Sequence, residues 1–160
     1  MNTDTILGID VGGTGIKGAV VNTRTGELLT ERVKVMTPKP ATPKAVSKAL
    51  RKLVDQIGWK GDYIGCGFPA IIKKQVAHSA ANVHKNWIGT NVAEVFGKVV
   101  PADFFVLNDA DAAGLAEMRM GAGKKCNGVA LMITIGTGIG SALFSEKVLV
   151  PNSEVGHVLF

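Results

Sequence analysis

The sequence predicts an α/β fold built from two related halves, and three observations carry that prediction. Strand-length apolar runs alternate with helical stripes in the order β-β-β-α-β, then α-β-α, then β-β. The stretch GTGIKGAV at 13–20 is echoed by GTGIGSAL at 136–143, each following an apolar run. The 160 residues are 46% hydrophobic and 19% charged, a globular balance. A chain of this length buries roughly 70% of its unfolded surface.

Residues 5–11 read as a buried strand ending near Asp10, and 15–22 as a second strand. TRTGE is a turn and LLTERVKV, 28–35, a third strand, so the chain opens as a meander. MTPKPATP is a loop. From Pro43, a good first helical residue, apolar positions 46, 49, 50, 53, 54 and 57 form a helical stripe that Gly58 stops. YIGCGF at 63–68 is a short buried strand, and AIIKKQVAHS a further strand or hairpin arm. AANVHKNWIGT reads as a polar loop, and TNVAEVFGKV as a short helix capped by Thr90 or Asn91. FFVLN at 104–108 is a buried strand feeding the helix DADAAGLAEMRMG, which has acids in its first turn and a glycine at its end. Residues 128–136 and 139–145 make a strand pair about the second glycine turn, and VLVP is a short strand. Only about forty residues follow Gly121. The expectation is therefore an N-terminal α/β domain over 1–120 and an incomplete beginning of a second over 121–160.

GTGIKG matches the dinucleotide fingerprint G-x-G-x-x-G, but the β-branched AVV that follows opens no helix, which that fingerprint needs. GAGKK lacks the first glycine and the Ser/Thr of a Walker A loop. What is left is a hairpin turn with bare backbone. Gly12, Gly13 and Gly15 let amide N–H groups converge on an anion, Thr14 adds a hydroxyl and Lys17 a charge. Gly136, Thr137 and Gly138 repeat the device, so two turns can grip one phosphate chain from two sides. The same residues also suit two ordinary glycine hairpins. Asp10 favours the phosphate reading, because a carboxylate beside a phosphate cradle makes sense mainly through Mg²⁺.

Net charge is +5, with lysines clustered at 34–52, 73–85 and 124–125. Solvated faces account for most of them. With 6% aromatics and no helix-turn-helix or RNA-binding signature, a phosphate-bearing substrate fits better than nucleic acid. No apolar run reaches the roughly 18 residues of a membrane span. The N-terminus lacks the basic region of a signal peptide, so a cytoplasmic location is expected. Cys66 and Cys126 have neither disulfide-framework nor zinc spacing and read as small buried hydrophobes.

The blocks DVGGTGIKG, VLNDADAAGLAE, TIGTGIGSAL and SEVGHV, in that order, resemble the ROK family of sugar kinases. The resemblance covers essentially the whole chain and implies the ribonuclease H-like, actin-like ATPase fold of the hexokinase–actin–Hsp70 type. NVHKNWIGTN, with GFPA before it, resembles the family's polyphosphate-using branch. The resemblance implies phosphoryl transfer from polyphosphate or ATP to the 6-hydroxyl of glucose, with Mg²⁺ as cofactor. Asp109 then becomes the general base, suited as a carboxylate at a strand-to-helix junction to accept the proton of an attacking hydroxyl. Asn108 can cap the helix or bind the sugar, and the family pattern favours the sugar. Asp111 reads as helix N-terminal charge. Glu154 and His157 match the family's sugar-binding pair. Gly67 and Asn82 are further sugar contacts by this resemblance, and Lys85 is a polyphosphate contact or a solvated loop lysine. Most ROK proteins continue into a Cys-rich zinc loop. This chain ends three residues after His157, so no zinc site is expected in it. A homodimer is implied for the full-length form. The alternative is a truncated, non-catalytic sugar- or phosphate-binding ROK protein.

Overall fold

A computed structural model describes residues 4–135 and 138–153. Strands β1 (Thr5–Val11), β2 (Gly15–Asn22) and β3 (Val33–Met36) form the expected antiparallel meander. Helix α1 (Pro43–Ile57) follows, then β4 (Tyr63–Phe68), which pairs parallel with β1. A small hairpin of β5 (Ile72–Lys73) and β6 (Val76–Ala77) leads through a 3-10 turn at Lys85–Trp87 into α2 (Val92–Gly97). Strand β7 (Asp103–Asn108) completes a five-stranded sheet of order β3-β2-β1-β4-β7 and runs straight into α3 (Asp109–Met120). A second sheet of order β10-β9-β8 holds β8 (Val129–Ile135), β9 (Ile139–Ser145) and β10 (Val148–Val150).

Period-2 alternation on the strands and the stripe on α1 meet in one core. Leu7, Ile9 and Val11 of β1, Ile64, Cys66 and Phe68 of β4, and Phe104 and Val106 of β7 pack against Val46, Leu50, Leu53 and Val54 of α1. The helix is set by its ends. Thr42 accepts a hydrogen bond from the Ala45 amide, Pro43 occupies the first turn, and Gly58 closes it in the left-handed region at φ 73°.

The expected third strand is shorter than 28–35. Leu28 makes only an isolated bridge to Val21, and Thr30 turns its hydroxyl to accept from the Val20 amide before β3 begins at Val33. The stretch 70–79 is a hairpin, with Lys74 and Gln75 at positive φ making its turn. The polar loop around 81–91 hides an anchor. Trp87 is fully buried, edge-on to Phe68 with centroids 4.8 Å apart and to Phe96 at 5.6 Å, and its Nε1–H donates to the Ala41 carbonyl at 3.0 Å. Cys126 corrects the expectation of two buried thiols. It is exposed, because it caps a 3-10 turn between Lys125 and Asn127.

The two sheets are joined through α3. A Cβ on Gly114 would stand 2.6 Å from the Ala142 Cβ and 2.9 Å from Phe144, so the helix lies directly on β9. A second tie is Asn152, held at φ 59°. Its amide side chain donates to the Ile72 carbonyl at 3.0 Å and accepts from the Ile72 amide at 2.8 Å, while its own N–H donates to Asp111 at 2.8 Å. The other face of β8 carries Val129, Leu131, Ile133 and Ile135, all exposed and the last 88% so, on an edge strand with open backbone groups.

Candidate active site

The parallel strands β1, β4 and β7 end on the same edge of the sheet, placing Asp10 beside Gly67 and Asn108 one residue beyond, opposite Phe68. In open α/β sheets this carboxyl edge is where ligands bind. A cavity of about 810 Å³ opens there, lined by Asp10, Gly67, Asn108 and Asp109.

The first glycine turn forms one wall. The Gly12 amide donates to the Gly15 carbonyl at 3.1 Å, and a Cβ on Gly12 would lie 3.0 Å from that oxygen, which is why the turn takes a residue without one. Gly12, Gly13 and Lys17 line the cavity. Thr14 does not; its carbonyl accepts the Thr37 amide at 3.3 Å. Gly15 lies buried under the side chain of Lys34. On the cavity floor the Lys17 ammonium stands 3.7 Å from the Asp10 carboxylate, both partly solvated.

The opposite wall is the start of α3. The Asn108 side chain accepts from the amides of Ala110 and Asp111 at 3.0 and 3.1 Å and donates to the Ala70 carbonyl at 3.1 Å, so its capping role is observed and it stands at the cavity wall as well. Asp109 is half-buried, accepts from the Ala110 amide at 2.9 Å, and sits at the positive end of the helix dipole. A Cβ on Gly67 would be 3.4 Å from the Asp109 Cα, so Gly67 keeps open the space beside that carboxylate. Asp111 is buried two positions further on and accepts the Asn152 amide, in keeping with a structural role.

The second glycine stretch closes the cavity. Gly138 and Gly140 line it, and a Cβ on Gly140 would stand 3.1 Å from that of Ala110. The structure thus brings parts of both glycine turns to one cavity. Gly136, Thr137, Glu154 and His157 lie outside the described residues. Asn82 lines the cavity from the loop that Trp87 anchors, whereas Lys85 is exposed and is not part of the lining. Burial, followed by the charge of Asp10, pushes the Cys66 thiol well above its ordinary range, so beneath the cavity floor it stays protonated and unreactive.

Thr37 has no local sequence signal. Its hydroxyl donates to the Gly12 carbonyl at 2.6 Å from 25 residues away, and its amide holds Thr14, so it clamps the first turn twice. Thr37→Val leaves the Gly12 carbonyl without this donor and is expected to cost ~1–3 kcal/mol in thermal or denaturant unfolding. Thr37→Ser, which keeps the hydroxyl, should recover most of it.

The set is a carboxylate at a helix start, a second carboxylate with a lysine, and a bare-backbone turn on one cavity. Such a set can accept a hydroxyl proton and hold an anion on one cavity. Residues 6–160 match the ROK family, and the chain belongs to that family. It is 49% identical over 153 residues to the polyphosphate glucokinase of Mycobacterium tuberculosis strain H37Rv, covering 95% of this chain and 57% of that protein. Its fold matches the crystal structure of the inorganic polyphosphate/ATP-glucomannokinase of Arthrobacter sp. strain KM with a TM-score of 0.95 and 46% identity, over 99% of this chain and 65% of that one. A ROK glucokinase of Streptomyces griseus, crystallised with glucose and AMPPNP, matches with a TM-score of 0.84 and 28% identity, over 96% and 50% of the two chains. The chain spans a little over half the length of the mycobacterial relative. The α/β class expected from the sequence, of the actin-like ATPase type found in ROK glucokinases, is the fold observed.

Proposed function

We propose that this chain carries the donor-phosphate wall and the catalytic base of a sugar kinase that transfers a phosphoryl group from polyphosphate or ATP to the 6-hydroxyl of glucose. The observation that carries this reading is the placement of Asp109 at the start of α3, on the same cavity as the glycine turn and the Asp10–Lys17 pair. Asp109 accepts the hydroxyl proton as the sugar oxygen forms its bond to phosphorus. The bridging P–O bond breaks, and the electron pair leaves with ADP or the shortened polyphosphate. The amides of Gly12 and Gly13 and the Lys17 ammonium hold the donor, and the N-terminus of α3 faces the developing charge.

Asp10 is an exposed carboxylate on the cavity, and it fits Mg²⁺, which keeps several waters and uses one or two carboxylates plus substrate phosphates. Bound there, the ion would neutralise donor charge. Gly67, Asn82, Asn108, Glu154 and His157 are the proposed sugar contacts and Lys85 an outer polyphosphate contact. Glucose and mannose both enter the reading, because the Arthrobacter relative is a glucomannokinase. Residues 121–160 are read as the beginning of a second domain, in a cytoplasmic protein whose full-length form is a homodimer.

The test is glucose 6-phosphate formation by the 160-residue chain with Mg²⁺, with polyphosphate and ATP compared as donors and mannose as a parallel acceptor. Turnover with either donor supports the reading. A folded chain that binds glucose and is silent with both is the sugar-binding alternative.

A further inference from the structure

On β2 and β3 two lysines stand directly opposite one another. Lys17 pairs in register with Lys34, and on its other side with Asp10 of β1, which in turn pairs with Gly67 of β4. Residues opposite in register share a face of the sheet. One row therefore runs Gly67, Asp10, Lys17, Lys34, beginning beside Asp109 and ending at the last strand. Lys34 lies two strand spacings beyond Asp10, ~10 Å.

Like charges directly opposite in a sheet are destabilising. Lys17 is relieved by Asp10 at 3.7 Å, but among the described residues no carboxylate stands within ion-pair distance of Lys34. Nor does Lys34 point idly into solvent. Its Cε would be 2.5 Å from a Cβ on Gly15, so the aliphatic stem crosses the bare backbone of Gly15 and leans along β2 toward the glycine turn. A methyl group at position 15 would block that path.

We propose that Lys34, with Lys17, forms an outer subsite for the non-transferred phosphates of a linear inorganic polyphosphate. The row changes sign along its length. The acidic end at Asp109 and Asp10 takes the acceptor hydroxyl and the transferred group, and the basic end at Lys17 and Lys34 takes the phosphates behind it. An extended polyanion continues along the row to Lys34, where a donor of three phosphates runs out of charge. Lys34, which no carboxylate relieves, is then an anion site held ready at a cost in stability. This inference rests on the phosphotransfer reading and deepens it.

The test is equilibrium binding, without sugar or turnover, of long-chain polyphosphate and of tripolyphosphate to the 160-residue chain. Wild type, Lys34→Ala, Lys34→Glu and the control Lys48→Ala are compared, the last on the helix that covers the opposite face of the sheet. Loss of one charge-assisted contact should weaken long-chain binding about 10-fold in Lys34→Ala and tripolyphosphate binding less than about 3-fold. Lys34→Glu should lose more, Lys48→Ala nothing, and the Tm of both Lys34 variants should hold or rise because a repulsion is removed. Long-chain affinity of Lys34→Ala equal to that of Lys48→Ala would overturn the inference, as would equal losses for the two ligands or a fall in Tm that accompanies the lost binding. A wild-type chain that binds neither phosphate would overturn the phosphotransfer reading itself, and this inference with it.

Discussion

Asp109→Asn is expected to lower phosphoryl transfer by ~10²–10⁴-fold while glucose affinity changes only a few-fold. The amide is nearly isosteric with the carboxylate and keeps an oxygen for the Ala110 amide, which Asp109 now serves at 2.9 Å. Asn108, which caps α3 through two amides, is untouched. The cost to the fold is the favourable carboxylate–dipole term, ~0.3–1 kcal/mol. What disappears is basicity. The sugar oxygen must then attack with its proton still attached, and the barrier rises. Glucose titration beside turnover separates the roles: equal losses in both would make Asp109 a structural residue of the helix start.

Trp87→Ala is expected to cost ~3–5 kcal/mol of stability, lowering Tm by roughly 6–20 °C. The indole is fully buried among Phe68 and Phe96, so its removal leaves a large cavity. Trp87→Phe keeps a ring and gives up mainly the hydrogen bond to Ala41, so it should lose about 1 kcal/mol for that bond plus a smaller cavity term. The loop held by Trp87 and Val83 carries Asn82 to the cavity, so sugar affinity should fall with the Ala variant even below its melting temperature. Unfolding by circular dichroism and glucose binding on the same samples check both statements.

What was legible in the sequence was what short-range chemistry encodes. The β-branched AVV after the first glycine turn excluded a helix, and β2 is a strand. The stripe on α1 and its Pro43 and Gly58 bounds follow from period and caps. Asp10, Gly12, Gly13, Lys17, Gly67, Asn108 and Asp109, all marked by motifs, line one cavity because each sits at or near a strand end on the same edge of the sheet, and Asn82 joins them from the loop that Trp87 anchors. Long-range contacts left no such trace. Thr37 looks like a loop threonine among prolines until it is seen donating to Gly12. Trp87 stands in a polar stretch, and only the neighbours that converge on it from β4 and α2 make it core. Cys126 is exposed against expectation because small size argues for burial only where an apolar wall is at hand, and its 3-10 turn offers none.

The Asn152 tie bears on how the cavity changes width. Three hydrogen bonds to Ile72 and Asp111 pin the turn after β10 to the β5–β6 hairpin and to α3. Exchanging them for water costs about 0.5–1.5 kcal/mol each. Any rotation that parts the two glycine turns therefore has a natural fulcrum at Asn152, and its left-handed backbone makes that fulcrum hard to replace with a branched residue. Such a rotation also has to slide β9 over α3 where Gly114 meets Ala142 and Phe144, so the two ties resist it together.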